Sequence, residues 1–287
     1  MSISAAQGWP ASEPQEEPAA PAGRNLPIAI VTALVLGGLI FGTLFTSRIA
    51  FFVLVAVAVL AAQAELYRAL RTRGFKPADA VGLLAGAGIL IGSYSRGTAA
   101  LSFGLTMSVI ASFLWFLADP KREHVAENIA VTLLGVVYVP FFGAHVILMT
   151  GLPHGAAITI CYIGIVAASD IGAYAAGSLF GKHPMAPTVS PKKSWEGAAG
   201  ATAFMFILAL TVGPHIAPFT LGSALALAAV AAVVAPLGDL AESLIKRDLG
   251  VKDMGTMLPG HGGVLDRIDS LLLVAPAAYW LIRVAVF

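Results

Sequence analysis

From Leu26 to the C-terminus the chain is a succession of apolar runs, each about 18–25 residues long. A helix of roughly 20 apolar residues crosses a ~30 Å hydrocarbon core. The runs fall at about 27–46, 49–69, 78–95, 98–118, 125–149, 155–180, 197–213, 219–242 and 268–287. They predict an all-α polytopic membrane protein of about nine transmembrane helices. The composition agrees, with 58% hydrophobic and 11% charged residues, where a soluble domain has nearer half and a quarter. Small residues spread through the runs suit close helix packing in lipid. The narrowest gap lies between 78–95 and 98–118, where Ser93 to Gly97 alone separates the two.

Residues 1–26 are rich in Ala, Pro and Glu and read as a disordered tail. The chain then divides into N-terminal transmembrane helices over 27–150 and a C-terminal catalytic transmembrane region over 151–287. No basic n-region or cleavage site precedes the first run, so that span is expected to be retained. The single cysteine, Cys161, sits in an apolar stretch as a packing residue, and alone it makes neither a disulfide nor a Cys/His metal site. A net charge of +1 says nothing about partners, but the distribution of charge does. Basic residues gather in alternate loops: Arg71, Arg73 and Lys76; Lys121 and Arg122; Lys182, Lys192 and Lys193; Lys246, Arg247, Lys252 and Arg267. The intervening loops hold little beyond Arg48 and Arg96. This bias puts the N-terminus and both long polar loops in the cytoplasm and the C-terminus outside.

The polar residues are concentrated. Ser243 to Asp269 mixes acids, Lys/Arg, one His and several glycines within an otherwise oily chain. Charges in such a setting are costly unless paired, hydrated or bound to an ion. Asp239, Glu242 and Ser243 share a helix face at i, i+3 and i+4, which Lys246 and Arg247 continue. Asp266 and Asp269 offer a second acidic face, and two such faces can converge on a hard cation such as Mg²⁺. Between them lie Gly260, His261, Gly262 and Gly263, where glycines let backbone N–H groups approach a ligand. His261 reads equally as an acid/base, a phosphate ligand or a loop residue. Asp170, inside the sixth run, marks a functional site by its cost in lipid, or is a packing acid hydrogen-bonded to a neighbour. Tyr174 and Gly177 share its face. The loop from Gly177 to Lys193 is not a Walker A motif, because the Gly177–Gly181 spacing is short and His183 follows Lys182. Its lysines suit a polyphosphate, or simply make a positive-inside loop.

Taken together, Ser243-x-Ile245-Lys246-Arg247, Lys252-Asp253-x-Gly255 and Leu258-Pro259-x-His261-Gly262-Gly263-x-x-Asp266-Arg267-x-Asp269 resemble the signature of the phosphatidate cytidylyltransferase (CDP-diacylglycerol synthase) family. Ser169-Asp170, Gly181-Lys182-His183 and Ser190-Pro191-Lys192-Lys193-Ser194-Trp195-Glu196-Gly197 are similar to the family's second shared stretch. The resemblance is strong over about 165–287. It implies that the phosphate of phosphatidic acid attacks the α-phosphorus of CTP, giving CDP-diacylglycerol and pyrophosphate. It implies metal ligation by Asp239 and Asp266, with Mg²⁺ expected and K⁺ admitted beside it. Lys246, Arg247, His261 and Arg267 join the catalytic set. Asp170, Lys182, Lys192, Lys193, Ser243, Lys252, Asp253, Gly262, Gly263 and Asp269 join the substrate-binding set.

The expected partners are CTP, phosphatidic acid from the inner leaflet and membrane lipid, with no nucleic acid; a homodimer stays open. The expected location is the cell (inner) membrane, with the polar catalytic site at its cytoplasmic face. A different membrane phosphotransferase or a polyprenol kinase is the alternative enzyme, though the DG-x-x-AR cluster of CDP-alcohol phosphotransferases is missing. A secondary transporter using Asp170 and Glu65 fits less well, since the polar residues crowd at one face and Arg68 explains Glu65 as its i+3 partner.

Overall fold

The computed structural model describes residues 26–121, 123–258 and 262–287. The proposed N-terminal tail therefore lies outside the described residues except for Leu26, as do Arg122 and His261. Ten α-helices follow in order: α1 (Leu26–Thr46), α2 (Arg48–Thr72), α3 (Asp79–Arg96), α4 (Ala99–Ala118), α5 (Val125–Val136), α6 (Phe142–Thr150), α7 (Gly155–Phe180), α8 (Trp195–Thr211), α9 (Leu221–Leu249) and α10 (Leu265–Ala285). Among the described residues, seven helical stretches are long and apolar enough to cross a membrane. They are α2, α4, the α5–α6 rod, α7, α8 with the turn to His215, α9 and α10. The chain is an all-α polytopic integral membrane protein. The reading of about nine crossings also counts α1, whose apolar stretch Leu34–Thr46 is shorter, and α3, which begins with Asp79 and ends with Arg96.

One hydrophobic cluster draws buried residues from α2 through α10, among them Leu66, Ile89, Ile147, Ile158, Met205, Leu227 and Leu272. Large apolar side chains also point outward, such as Leu84, Phe103, Ile207 and Val233. In water such a surface would aggregate; against acyl chains it is the low-energy face. With no hydrophobic drive between helices in lipid, close backbone approach does the packing. The α7–α8 seam depends on it: a Cβ on Gly172 would sit 2.5 Å from the Gly200 carbonyl oxygen.

The structure departs from the sequence reading at four places. First, α5 and α6 form one rod interrupted by a π-turn, Val137–Phe141. Pro140 within it has no N–H to donate, so the regular ladder breaks there. Second, the 181–196 loop holds a short antiparallel hairpin, β1 (Pro184–Ala186) with β2 (Ser190–Ser194). Ser194 then caps α8 by accepting from Gly197 N at 3.1 Å. Third, α9 continues past 242 to Leu249 and stops at Gly250, whose φ of 65° suits a left-handed cap. Fourth, α10 starts at Leu265 rather than 268. Lys246 and Arg247 are thus helical, and Asp266 lies in a first turn, where an acid favours the helix dipole.

Candidate active site

The polar residues meet at one end of the bundle. There the C-terminal ends of α2, α7 and α9 lie beside the N-terminus of α10 and the β-hairpin. Two bonds fix this arrangement: Arg73 Nε donates to Leu249 O at 2.8 Å, and Arg247 Nε donates to Val189 O at 3.1 Å.

On α9, Asp239 and Glu242 are three residues apart and project with Asp269 of α10 toward one point. An oxygen from each lies within 4.8 Å of the others. Glu242 is 1% exposed, and its Oε1 has no hydrogen-bond partner. Its Oε2 accepts from Lys246 Nζ at 2.6 Å, and the same ammonium donates to Asp266 Oδ1 at 2.9 Å. Lys246 therefore joins α9 to α10 and neutralises two buried carboxylates that would otherwise repel. Asp266 Oδ2 accepts from Met254 N and Gly263 N, at 3.0 and 2.9 Å, which folds the glycine loop back onto α10. Asp269 Oδ1 accepts from Ser270 N at 2.7 Å.

Beside the acids is a cavity of about 200 Å³, lined by Asp170, Tyr174, Gly177, Lys192, Lys193, Ser194, Asp239 and Ser270 among others. Lys193 Nζ lies 2.5 Å from Asp239 Oδ2. The face shared by Asp170, Tyr174 and Gly177 does line one wall.

The candidate residues thus sort by place. Asp170, Lys192, Lys193 and Asp239 share the cavity. Asp269 joins Asp239 and Glu242 in the carboxylate trio, and Lys246 links Glu242 to Asp266. Gly262 and Gly263 bend over Asp266; a Cβ on Gly263 would come 2.8 Å from Asp266 Oδ2. Ser243 is half-buried one residue beyond Glu242. Lys182, Arg247, Lys252 and Asp253 are exposed around the rim and do not line the cavity. Lys182 and His183 donate their backbone N–H groups to Glu196 Oε2, both at 3.2 Å, which closes the hairpin's base.

Three residues at or near the site lie outside the candidate set read from the sequence. Glu242 shared the i, i+3 face but was left outside the candidate set. Tyr138, in the π-turn, is buried with its hydroxyl unpartnered; nothing in its sequence context signals this. Glu65 is the third. Beside Arg68 its carboxylate has a distant partner: Oε2 accepts from Leu265 N at 3.0 Å, at the N-terminus of α10. It also lies directly under the loop, where a side chain at Gly255 would collide with it.

A sequence model described as the cytidylyltransferase family matches residues 27–285. A Mycobacterium bovis protein named phosphatidate cytidylyltransferase is 36% identical over 299 aligned positions, covering 96% of each chain. One of the same name from Mycobacterium leprae is 36% identical over 90% of this chain and 88% of its own. A third, from Helicobacter pylori, is 39% identical over 55% of this chain and 57% of its own. A match of this extent, over the elements that build the acid-lined cavity, makes the chain a member of the cytidylyltransferase family.

Proposed function

We propose that this chain is a CTP:phosphatidate cytidylyltransferase that makes CDP-diacylglycerol and pyrophosphate for phospholipid synthesis. The observation that carries the reading is the lysine-lined cavity beside a carboxylate trio, two of its members buried and one oxygen without a protein partner. Carboxylate oxygens on two facing helices are the donor set of a hard divalent cation. Asp239, Glu242 and Asp269 would hold Mg²⁺, with K⁺ as a neighbour and Asp266 next in the row through Lys246. When bound, the cation neutralises phosphate charge as two anions approach and as pyrophosphate leaves.

The chain's own residues do the rest. Lys192 and Lys193 face the cavity and bind phosphate oxygens as point charges. Arg247, Lys252 and Arg267 raise the positive potential at the mouth. The attacking group is a phosphate with a second pKa of about 6, so no strong base is needed. His261, in the glycine loop, then serves as a phosphate ligand or loop former rather than a proton acceptor. Tyr174, 80% exposed, lines the cavity, and Phe180 and Trp195 are exposed nearby. A diacyl substrate enters sideways over this apolar rim with its headgroup inward.

In this reading α1 and α3 also cross, giving nine spans. The site faces the cytoplasm of the cell membrane, as the basic loops favour. Purified protein given CTP, Mg²⁺ and phosphatidic acid should release pyrophosphate only when all three are present. Release without lipid, or none with it, would overturn the assignment. The transporter alternative expects no release at all.

A further inference from the structure

The opposite end of the bundle holds a second cavity, of about 290 Å³. Three arginines from separate helices line it: Arg48 at the start of α2, Arg96 at the end of α3 and Arg283 near the end of α10. From Asp266 to Arg283 the α10 axis rises about 26 Å, so this cavity lies across the bilayer thickness from the carboxylate trio.

The charge here faces no acidic side chain. Residues 34–64, 80–118, 137–169 and 271–287, which make this end, contain no Asp or Glu. Among the described residues none of the three arginines is in an ion pair. Arg48 lies over the Tyr94 ring at 4.5 Å and makes only long contacts, 3.4 Å to Tyr94 O and 3.5 Å to Thr150 Oγ1. Guanidinium groups gathered without a carboxylate repel one another, and an anion between them relieves that cost. Another group at the same cavity points to a ligand. Ser93 lines it and is 1% exposed, yet its Oγ has no hydrogen-bond partner. A buried hydroxyl without a partner costs free energy that a ligand oxygen would recover. Tyr94 and Tyr279 also line the cavity, and the exposed Trp280 precedes Arg283 by less than one turn. Amphipathic rings of this kind mark the depth of the headgroups.

We propose that this cavity binds a phosphate group, held by the arginine forks and the Ser93 hydroxyl, at the leaflet opposite the catalytic site. The headgroup of an anionic phospholipid and free inorganic phosphate offer the same oxygens. Arginine takes such oxygens bidentately, in a way lysine does not.

The test uses the full-length protein in detergent and native mass spectrometry, with phosphatidylglycerol, phosphatidylcholine or inorganic phosphate as probes. Phosphatidylglycerol should be retained over phosphatidylcholine, and the double variant Arg96→Gln/Arg283→Gln should hold it at least tenfold more weakly. The variant's pyrophosphate release from CTP, Mg²⁺ and phosphatidic acid in mixed detergent–phosphatidylcholine micelles should be unchanged. Retention of inorganic phosphate with no preference between the lipids keeps the site but makes its source soluble. If the double variant does not fold, Arg283→Lys keeps the charge without the fork and should still weaken binding several-fold. Equal retention of every probe by wild type and by whichever variant folds would overturn the proposal.

Discussion

Glu65 ties α2 to a residue 200 positions away, and what it offers is oxygen for the Leu265 N–H. Glu65→Gln keeps that acceptor and should retain most turnover. Glu65→Ala leaves the amide unpaired over a void and should destabilise by about 2–4 kcal/mol, with reduced kcat. Thermal unfolding in detergent, run beside the pyrophosphate assay, reads both; equal loss in the two variants would mean that the charge matters rather than the bond. The carboxylates make a different case. Asp239→Asn, Glu242→Gln and Asp269→Asn should each lower turnover at least about a hundredfold, with a raised Mg²⁺ requirement. Pairs should be scarcely worse than singles, because residues acting as a unit are not additive. An Mg²⁺ titration of each variant checks this, and near-normal activity at saturation removes that residue from the metal set. These roles were unevenly legible in the sequence. Helix periodicity and the cost of charge in lipid pick out the acidic faces, but the sequence reading gives the metal to Asp239 and Asp266 and places Asp269 with the substrate. Glu65 could not be picked out, because the local Arg68 offered a plausible partner and a bond to a distant amide leaves no mark on either segment.

At the scale of elements, the α7–α8 seam holds Asp170 and the hairpin in place. A Cβ on Gly200 would meet Ala176 and would come 2.6 Å from the Gly172 carbonyl oxygen. Gly200→Val should therefore force the helices apart and cost roughly 1–3 kcal/mol, with activity falling in parallel. Gly164→Ala, on the same α7 but with only Leu208 Cδ2 at 3.6 Å, should leave the melting temperature within about a degree or two. Comparable losses in both would show that the seam has no special role. Helix positions were readable because apolar runs of membrane length have few other solutions. The ends were not. The apolar run stops at 242, although Lys246 and Arg247 continue the helix face of Asp239 and Glu242, and α9 keeps going until Gly250 allows a left-handed stop. The π-turn was hidden as well: Pro140 announces a break, but not whether the rod kinks, ends or bulges.

For the whole molecule, the two cavities divide the charge: acids and lysines at one end, arginines without acids at the other. If the first end is cytoplasmic, a C-terminal phosphatase fusion after Phe287 should be active outside the cell, and a fluorescent fusion there should be dark. The reverse result would put the carboxylate end outside, because Phe287 lies across the length of α10 from it, and would overturn the cytoplasmic orientation. The Glu65–Leu265 bond has a consequence in time. α2 leaves the ribosome long before α10 exists, so the membrane receives an acid whose partner is still unmade. The catalytic end cannot close around Glu65 until the last helix has threaded in. A nascent chain released before α10 would hold the Glu65 carboxylate without the Leu265 amide that caps it in the finished fold.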